Sequence, residues 1–337
     1  MTHGDAGRRR VFSGIQPTGK LHLGNYLGAI SLWVDLQAQY ETILCIADLH
    51  ALTTPESAPH ANLQAKVRET AAALLACGID PNRAILFVQS DVGAHAELAW
   101  LLSCVTPVGW LERMIQFKTR AATLESVGTG LLAYPVLQAA DILLYRADLV
   151  PVGEDQRQHI ELTRDTARRF HALFEDVFTL PEAMVRPGGA RIMGLDDPTA
   201  KMSKSVAETR NRHAIGLVDP PDVIRDVIMH AVTDSGREVQ PDHASPGVTN
   251  LLTIYELLSG VGREAVQAEF LGKGYNTLKR TVADLVITRL EPIRQKYLDL
   301  AGEPETLDAI LADGAERARP LADPTLHRVR QLMGLDD

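Results

Sequence analysis

Three cysteines in 337 residues, none of them spaced as CxxC, exclude a disulfide framework and a thiolate zinc site. Cys45, Cys77 and Cys104 lie far apart in apolar stretches. Each is expected to be a small core residue, as in a protein of the reducing cytoplasm. No apolar run approaches the roughly 20 residues that cross a bilayer, so no membrane partner is expected. The N-terminal MTHGDAGRRRVF is charged but has no apolar stretch after it, so it does not read as a secretory signal. Its first seven residues are expected to form a frayed leader. Positive charge is also in deficit: 34 Lys and Arg stand against 43 Asp and Glu, a net charge of −9. Such a chain does not coat nucleic acid with its whole surface, and any such contact must come through local patches. Repeats of fixed period, low-complexity runs, the GxxxxGK[ST] and GxGxxG phosphate loops, a nucleophile motif and a carboxylate cluster dedicated to a metal are all missing.

What remains is an ordinary globular composition, 45% hydrophobic and 23% charged, long enough for roughly two domains of about 150 residues. The first half alternates strand and helix signals. RRVFSGI, TILCIAD and AILFVQS read as buried strands. Between them, GNYLGAISLWVDLQAQY places Leu27, Ile30, Val34 and Ala38 at helical spacing, and NLQAKVRETAAALLACG reads as a helix stopped by Gly78. Strand and helix in alternation predict a parallel sheet covered by helices, whose ligands bind beyond the carboxyl ends of the strands. SGIQPTGKLHLGN, ADLHALTT and QSDVGAH are therefore the first segments to search. Beyond residue 206 the strand signals fade into amphipathic helices: DPPDVIRDVIMHAV, VTNLLTIYELLSG, TLKRTVADLVITRLEPIRQKYLDL and a helical tail.

Two polar segments carry anion-binding chemistry. PTGKLHLGNYLGA lies between a strand and a helix, where glycines admit a ligand to the backbone and the helix start offers N–H groups. His22 and Asn25 can converge there as donors. AKMSKS puts two ammonium groups at i and i+3 among small polar residues, with no apolar face to bury, as suits a mobile loop closing over phosphates. Alone, the first reads equally as a strand-to-helix turn and the second as a solvated surface loop.

Together they resemble the two signatures of class I aminoacyl-tRNA synthetases: His22-Leu23-Gly24-Asn25, with asparagine in the final place, and Lys201-Met202-Ser203-Lys204-Ser205 in full. FSGIQPTGKLHLGNYLGA, LLAYPVLQAADILLYRADLVPVGEDQRQHIELTRD and GARIMGLDDPTAKMSKS extend the likeness over most of the chain and resemble the bacterial tryptophanyl-tRNA synthetases. That family implies an α/β fold: a Rossmann-like nucleotide-binding domain over residues 8–195 with the loop at 196–206. A helical anticodon-recognition domain follows over 207–295, and helices at 296–337 pack back on the catalytic domain. It implies activation of L-tryptophan by ATP, transfer to tRNA(Trp), a homodimer, and Mg²⁺ held mainly by the ATP phosphates rather than by a protein cage.

The resemblance also implies residue roles. Asp141, an acid among aliphatics, would accept from the indole N–H, a charge that is costly there unless paired. The bottom-up alternative is a helix cap or an internal ion pair. Gln138 would face the same side, where many relatives have methionine. Phe12, His50, Val150 and Val152 would wall the indole, and Tyr134 and Gln156 would hold the ammonium. Gln16 would lie beside the reacting carboxylate. Pro17, Thr18, Gly24, Asn25, Gly153, Glu154, Asp155, Ile192, Met193, Met202, Ser203 and Ser205 would serve the nucleotide. Lys201, Lys204 and His22 would act on the phosphates. Three alternatives stand beside this reading: a tyrosyl-tRNA synthetase of the same architecture, a small-molecule nucleotidyltransferase, and a non-catalytic synthetase-like protein that binds RNA or nucleotide.

Overall fold

The computed structural model describes residues 8–53, 62–122, 124, 126–153, 156–185, 191–207 and 209–336, with the side chains of residues 204, 205 and 242 outside that description. The expected N-terminal leader lies outside the described residues.

The three anticipated strands form as β1 (Arg10–Ile15), β2 (Glu41–Ile46) and β3 (Ala84–Val88). Two short strands join them, β4 (Leu149–Pro151) and β5 (Glu182–Met184), and the sheet order is β3-β2-β1-β4-β5, all parallel. At three residues each, β4 and β5 are too short for a periodicity signal. Alternate residues of β2 face opposite layers: Ile43 and Cys45 enter one core, Leu44 and Ile46 the other. Arg10 ties the strand starts together. Its Nε donates to Glu41, its Nη1 to the Tyr145 carbonyl, and its backbone N–H to Asp148 just before β4.

The order places a switch point at β1. The chain steps outward from β1 through β2 to β3, then returns to β1's other side as β4. Connections leaving β1 and β4 therefore diverge, and a crevice opens beyond their carboxyl ends.

Two expectations are corrected. Cys45 and Cys77 are buried, but Cys104 is exposed, because it caps the end of the Ala94–Ser103 helix where the chain turns to solvent. After β1 the helical segment runs through Leu23–Asn25, a π turn at Tyr26–Ile30, and Ser31–Leu36. Leu27 and Ile30 are buried as expected and Val34 is half-buried against the same core, but Trp33 and Leu36 are the fully buried residues further on and Ala38 is exposed. The helix stops at Leu36, which packs against Val11 of β1 and Leu149 of β4, and Ala38 falls in the exposed turn beyond.

The helices after residue 206 follow their sequence pattern. In the Tyr275–Ala301 helix, Leu278, Val282, Ala283, Val286, Leu290 and Ile293 are buried at helical spacing. They share one core with the Pro221–Met229, Pro246–Ser259 and Leu63–Ala76 helices. The Pro304–Leu332 helix returns to the sheet and lies against β3: a Cβ at Gly314 would fall 1.9 Å from the Leu86 carbonyl oxygen. Both sides of that contact are backbone, so neither can turn aside. Gly314→Ala is expected to lower unfolding free energy by about 3 kcal/mol, the upper end of ordinary overpacking. Denaturant melting checks it, and an unchanged midpoint would mean the helix is not seated so closely.

Candidate active site

The crevice at the switch point is a cavity of about 380 Å³. β1 contributes Phe12, Ser13, Gly14 and Ile15; β4 and its exit contribute Val150, Pro151, Val152 and Gly153; the Thr129–Leu144 helix contributes Tyr134, Gln138, Asp141 and Ile142. All eight residues assigned to the amino acid, Phe12, His50, Tyr134, Gln138, Asp141, Val150, Val152 and Gln156, line this one space. Gln16, Asn25 and Gly153 line it too.

Asp141 is buried, and its carboxylate is held from three elements. His50, in the turn after β2, meets Oδ2 at 2.8 Å. Gln89, at the end of β3, donates to Oδ1 at 2.7 Å. His95, on the next helix, meets Oδ1 at 2.7 Å through Nδ1, and its Nε2 lies 2.8 Å from the Tyr145 hydroxyl. Burial alone pushes this carboxyl up. The hydrogen bonds and charge of His50 and His95 outweigh it and hold Asp141 well below the usual carboxylate range. Oδ1 has two partners and Oδ2 has one, so Oδ2 keeps acceptor capacity, and Asp141 lines the cavity. The arrangement suits a ligand with a large apolar body and one N–H. The internal ion pair and the ligand-recognition reading of Asp141 are thus compatible: the pairing keeps the charge in place without using it up.

Tyr134 Oη donates to Gln116 Oε1 at 3.2 Å and lies 2.9 Å from His159 Nε2. With its proton on Gln116, the oxygen accepts from His159 and retains a lone pair for a cationic donor.

The phosphate motifs meet at one side. His22 and Asn25 close a capping box: Asn25 N–H donates to His22 Nδ1 at 3.3 Å, and His22 N–H donates to Asn25 Oδ1 at 3.1 Å. His22 is buried and stands behind Asn25, outside the cavity lining. The expectation that both converge as donors is met by position only for Asn25. A Cβ at Gly24 would lie 3.1 Å from the His22 ring and 3.4 Å from Met202 Cβ, so the first motif abuts the second. Met202 is itself buried in the main core, which corrects the expectation of a segment with no apolar face. A methionine side chain is flexible enough to fill such a gap while its neighbours stay polar.

Lys201 is exposed and Ser203 half-buried. Ile192 and Met193 pair with the segment's start, through Met202 N–H to the Ile192 carbonyl and a Met193–Lys201 bridge, and do not line the cavity. Pro17 and Thr18 lie on the loop above Gln16, outside the lining. Glu154 and Asp155, and the side chains of Lys204 and Ser205, lie outside the described residues.

Residues near the cavity that were not singled out from sequence include Gln89 and His95 behind Asp141, and Trp33, Gln116 and Arg120 on the lining. Gln89 and His95 sit within QSDVGAH, a strand-end segment marked for search, but nothing in that string says that they face a residue 46 or 52 positions away.

This geometry belongs with a known class. The family model for class I tRNA synthetases (W and Y) matches residues 5–291, and the chain belongs to that family. Within it, the chain is 55% identical to the tryptophan–tRNA ligase of Gloeobacter violaceus, over 97% of this chain and 96% of that one. It is also similar to the crystal structure of tryptophanyl-tRNA synthetase from Mycoplasma pneumoniae, at TM-score 0.87 and 36% identity, covering 97% of this chain and 98% of that one. The enzyme from Campylobacter jejuni, solved with ADP and tryptophan, matches at TM-score 0.82 and 37% identity, over 97% and 100% of the two chains.

The depressed Asp141 carboxyl has a sign that can be checked. Its stabilising contribution is complete above the unfolded pKa of about 3.9 and is lost as pH falls towards the lower folded value. Wild-type stability should therefore fall more steeply than that of Asp141→Asn between about pH 5 and pH 2. Chemical melts at stepped pH measure this, and parallel curves would contradict it.

Proposed function

We propose that this chain is a tryptophanyl-tRNA synthetase, which activates L-tryptophan with MgATP and transfers it to the terminal adenosine of tRNA(Trp). The observation that carries this reading is the buried Asp141 carboxylate, held by three protein groups yet keeping acceptor capacity on Oδ2 at an aromatic and aliphatic cavity of about 380 Å³. An indole ring supplies the matching apolar body and single N–H.

In the first step the tryptophan carboxylate attacks the α-phosphorus of ATP. A bond forms to the carboxylate oxygen, the bond to the bridging oxygen breaks, and pyrophosphate leaves with the electron pair. In the second step an adenosine hydroxyl of the tRNA attacks the activated carbonyl and AMP leaves. Such transfers need positioning and charge stabilisation more than a protein nucleophile. Asp141 fixes the indole; Tyr134 and Gln156 hold the ammonium; Gln16 borders the reacting carboxylate. Asn25, with His22 behind it, addresses the phosphates, and Lys201 and Lys204 neutralise charge on the leaving pyrophosphate. Arg120 on the cavity lining adds a cation on the same side as Tyr134. Mg²⁺ is read as entering with the nucleotide, held mainly by its phosphates.

Residues 207–295 are the natural seat for an anticodon, and Lys273, Lys279 and Arg280 supply local positive charge on that part. Residues 296–337 return to the sheet and brace β3. A homodimer is supported by exposed apolar side chains, among them Leu52 and Trp100. Leu52 and Trp100 share a shallow groove with Leu49 and Leu137 whose floor includes Tyr134.

ATP–pyrophosphate exchange with each aromatic amino acid in turn tests the function. Exchange with tryptophan alone is expected, lowered roughly ten- to a hundredfold in Asp141→Ala, the span of one charge-assisted hydrogen bond. Exchange driven by tyrosine instead would assign the chain to the sister specificity, and no exchange with any amino acid would leave only a binding role. For the dimer, sedimentation should give a single dimeric species that Trp100→Glu shifts to monomer. A monomeric wild type would remove the partner.

A further inference from the structure

We propose that His213, held through its other ring nitrogen by Asp196, is a positioning residue that sets where Lys201 is presented for the activation step. The inference rests on the reading of Lys201 as a phosphate-binding lysine. Residues 192–202 form a small hairpin. Met202 N–H donates to the Ile192 carbonyl at 3.0 Å and Gly194 N–H to the Ala200 carbonyl at 2.8 Å, while Met193 pairs antiparallel with Lys201. Asp197 closes the turn, accepting from the Thr199 hydroxyl at 2.6 Å. Two buried polar side chains hold the hairpin's two arms. Asn250, from the Pro246–Ser259 helix, takes Met193 by both backbone groups, Oδ1 to N–H at 2.9 Å and Nδ2 to the carbonyl at 3.0 Å. His213 takes the other arm, with Nε2 at 3.1 Å from the Lys201 carbonyl oxygen and Nδ1 at 2.6 Å from Asp196 Oδ1.

The His213 ring is fully buried, and the fold makes room for it at a stated place: a Cβ at Gly194 would fall 2.3 Å from its Cε1. The ring bridges the Asp196 carboxylate and the Lys201 carbonyl oxygen through its two nitrogens, so it ties the two groups at one fixed spacing. Arg210 lies 3.6 Å from the other Asp196 oxygen and 3.7 Å from Asp197, so the acidic side of this pair is balanced in turn. The Lys201 side chain points from a backbone that is fixed on the carbonyl side by this ring. His213 itself is absent from the cavity lining and touches the reaction only through Lys201.

The test compares wild type, His213→Leu, Lys201→Ala and the double variant in tryptophan-dependent ATP–pyrophosphate exchange, with tryptophan affinity measured separately by calorimetry. His213→Leu is expected to lower kcat roughly ten- to a hundredfold while tryptophan affinity stays within about twofold. In the Lys201→Ala background the same change should cost little, because both act through one ammonium group. Equal cost in both backgrounds, or kcat and tryptophan affinity falling together, would overturn the inference. If His213→Leu fails to fold, Asp196→Ala takes its place with the same expectations, since Asp196 is partly exposed and its loss frees the His213 ring on its Nδ1 side. An active wild type with an unaffected variant defeats this inference alone; an inactive wild type defeats it together with the proposed function.

Discussion

A carboxylate buried among aliphatic side chains is the constraint around which the catalytic half is organised. Desolvation opposes its charge, and an unpaired ion at that depth would take up a proton instead. Asp141 stays ionised because His50, Gln89 and His95 reach it from the ends of two strands and from a separate helix. That requirement fixes more than one residue. It demands that β2 and β3 end level with each other, that the Ala94–Ser103 helix lie against the Thr129–Leu144 helix, and that Tyr145 be close enough to hold the far side of His95. Tyr145 also stacks on Phe12 at a centroid distance of 5.5 Å, so the cavity's aromatic wall and its charge are supported by the same side chain. Gln89 shows the cost: its Oε1 is buried with no partner among the described residues, while its amide nitrogen serves Asp141.

The position of the site follows from topology rather than from any single motif. Reversal of strand order at β1 opens a crevice between diverging connections, and both signature segments lie on that crevice's rim or just behind it. The first is tied to the chain that follows the second: Leu23 N–H donates to the Ile215 carbonyl at 2.8 Å and Leu217 N–H to the Leu21 carbonyl at 3.0 Å. His213 lies two residues before Ile215, so one stretch of chain meets both the first signature and the Lys201 carbonyl.

Legibility from sequence tracked whether a feature is local. Three strands, the Leu63–Ala76 helix with Gly78 in a positive-φ turn, and the later amphipathic helices are written in periodicity and caps, and all were readable. β4 and β5 were not, because three residues carry no period. Cys104 was misassigned because apolar neighbours in sequence do not decide burial at a helix end, where the turn points outward. The cavity lining was legible only through resemblance: spacing alone cannot bring Phe12, His50, Asp141 and Gln156 to one space. The Asp141 partners were missed for the same reason, although the strand-end rule marked the segments that hold His50, Gln89 and His95.

The loop that carries Lys201 combines two demands that conflict if one residue must meet both. Under the proposed function its cations reach a highly charged leaving group, and its starting point has to be reproducible within a fraction of an ångström. The chain separates them along the backbone. Fixity is assigned to Met202, whose side chain joins the core, to the Met193 arm held by Asn250, and to the Lys201 carbonyl held by His213. Charge is assigned to side chains that leave that anchored backbone. An apolar anchor alone would resist withdrawal but not define direction; hydrogen bonds on both arms define it, because a carbonyl accepts along a limited cone. The polar look of AKMSKS in sequence thus hides a segment that is half core element, and what distinguishes it from a solvated surface loop is the buried imidazole and carboxamide beneath it.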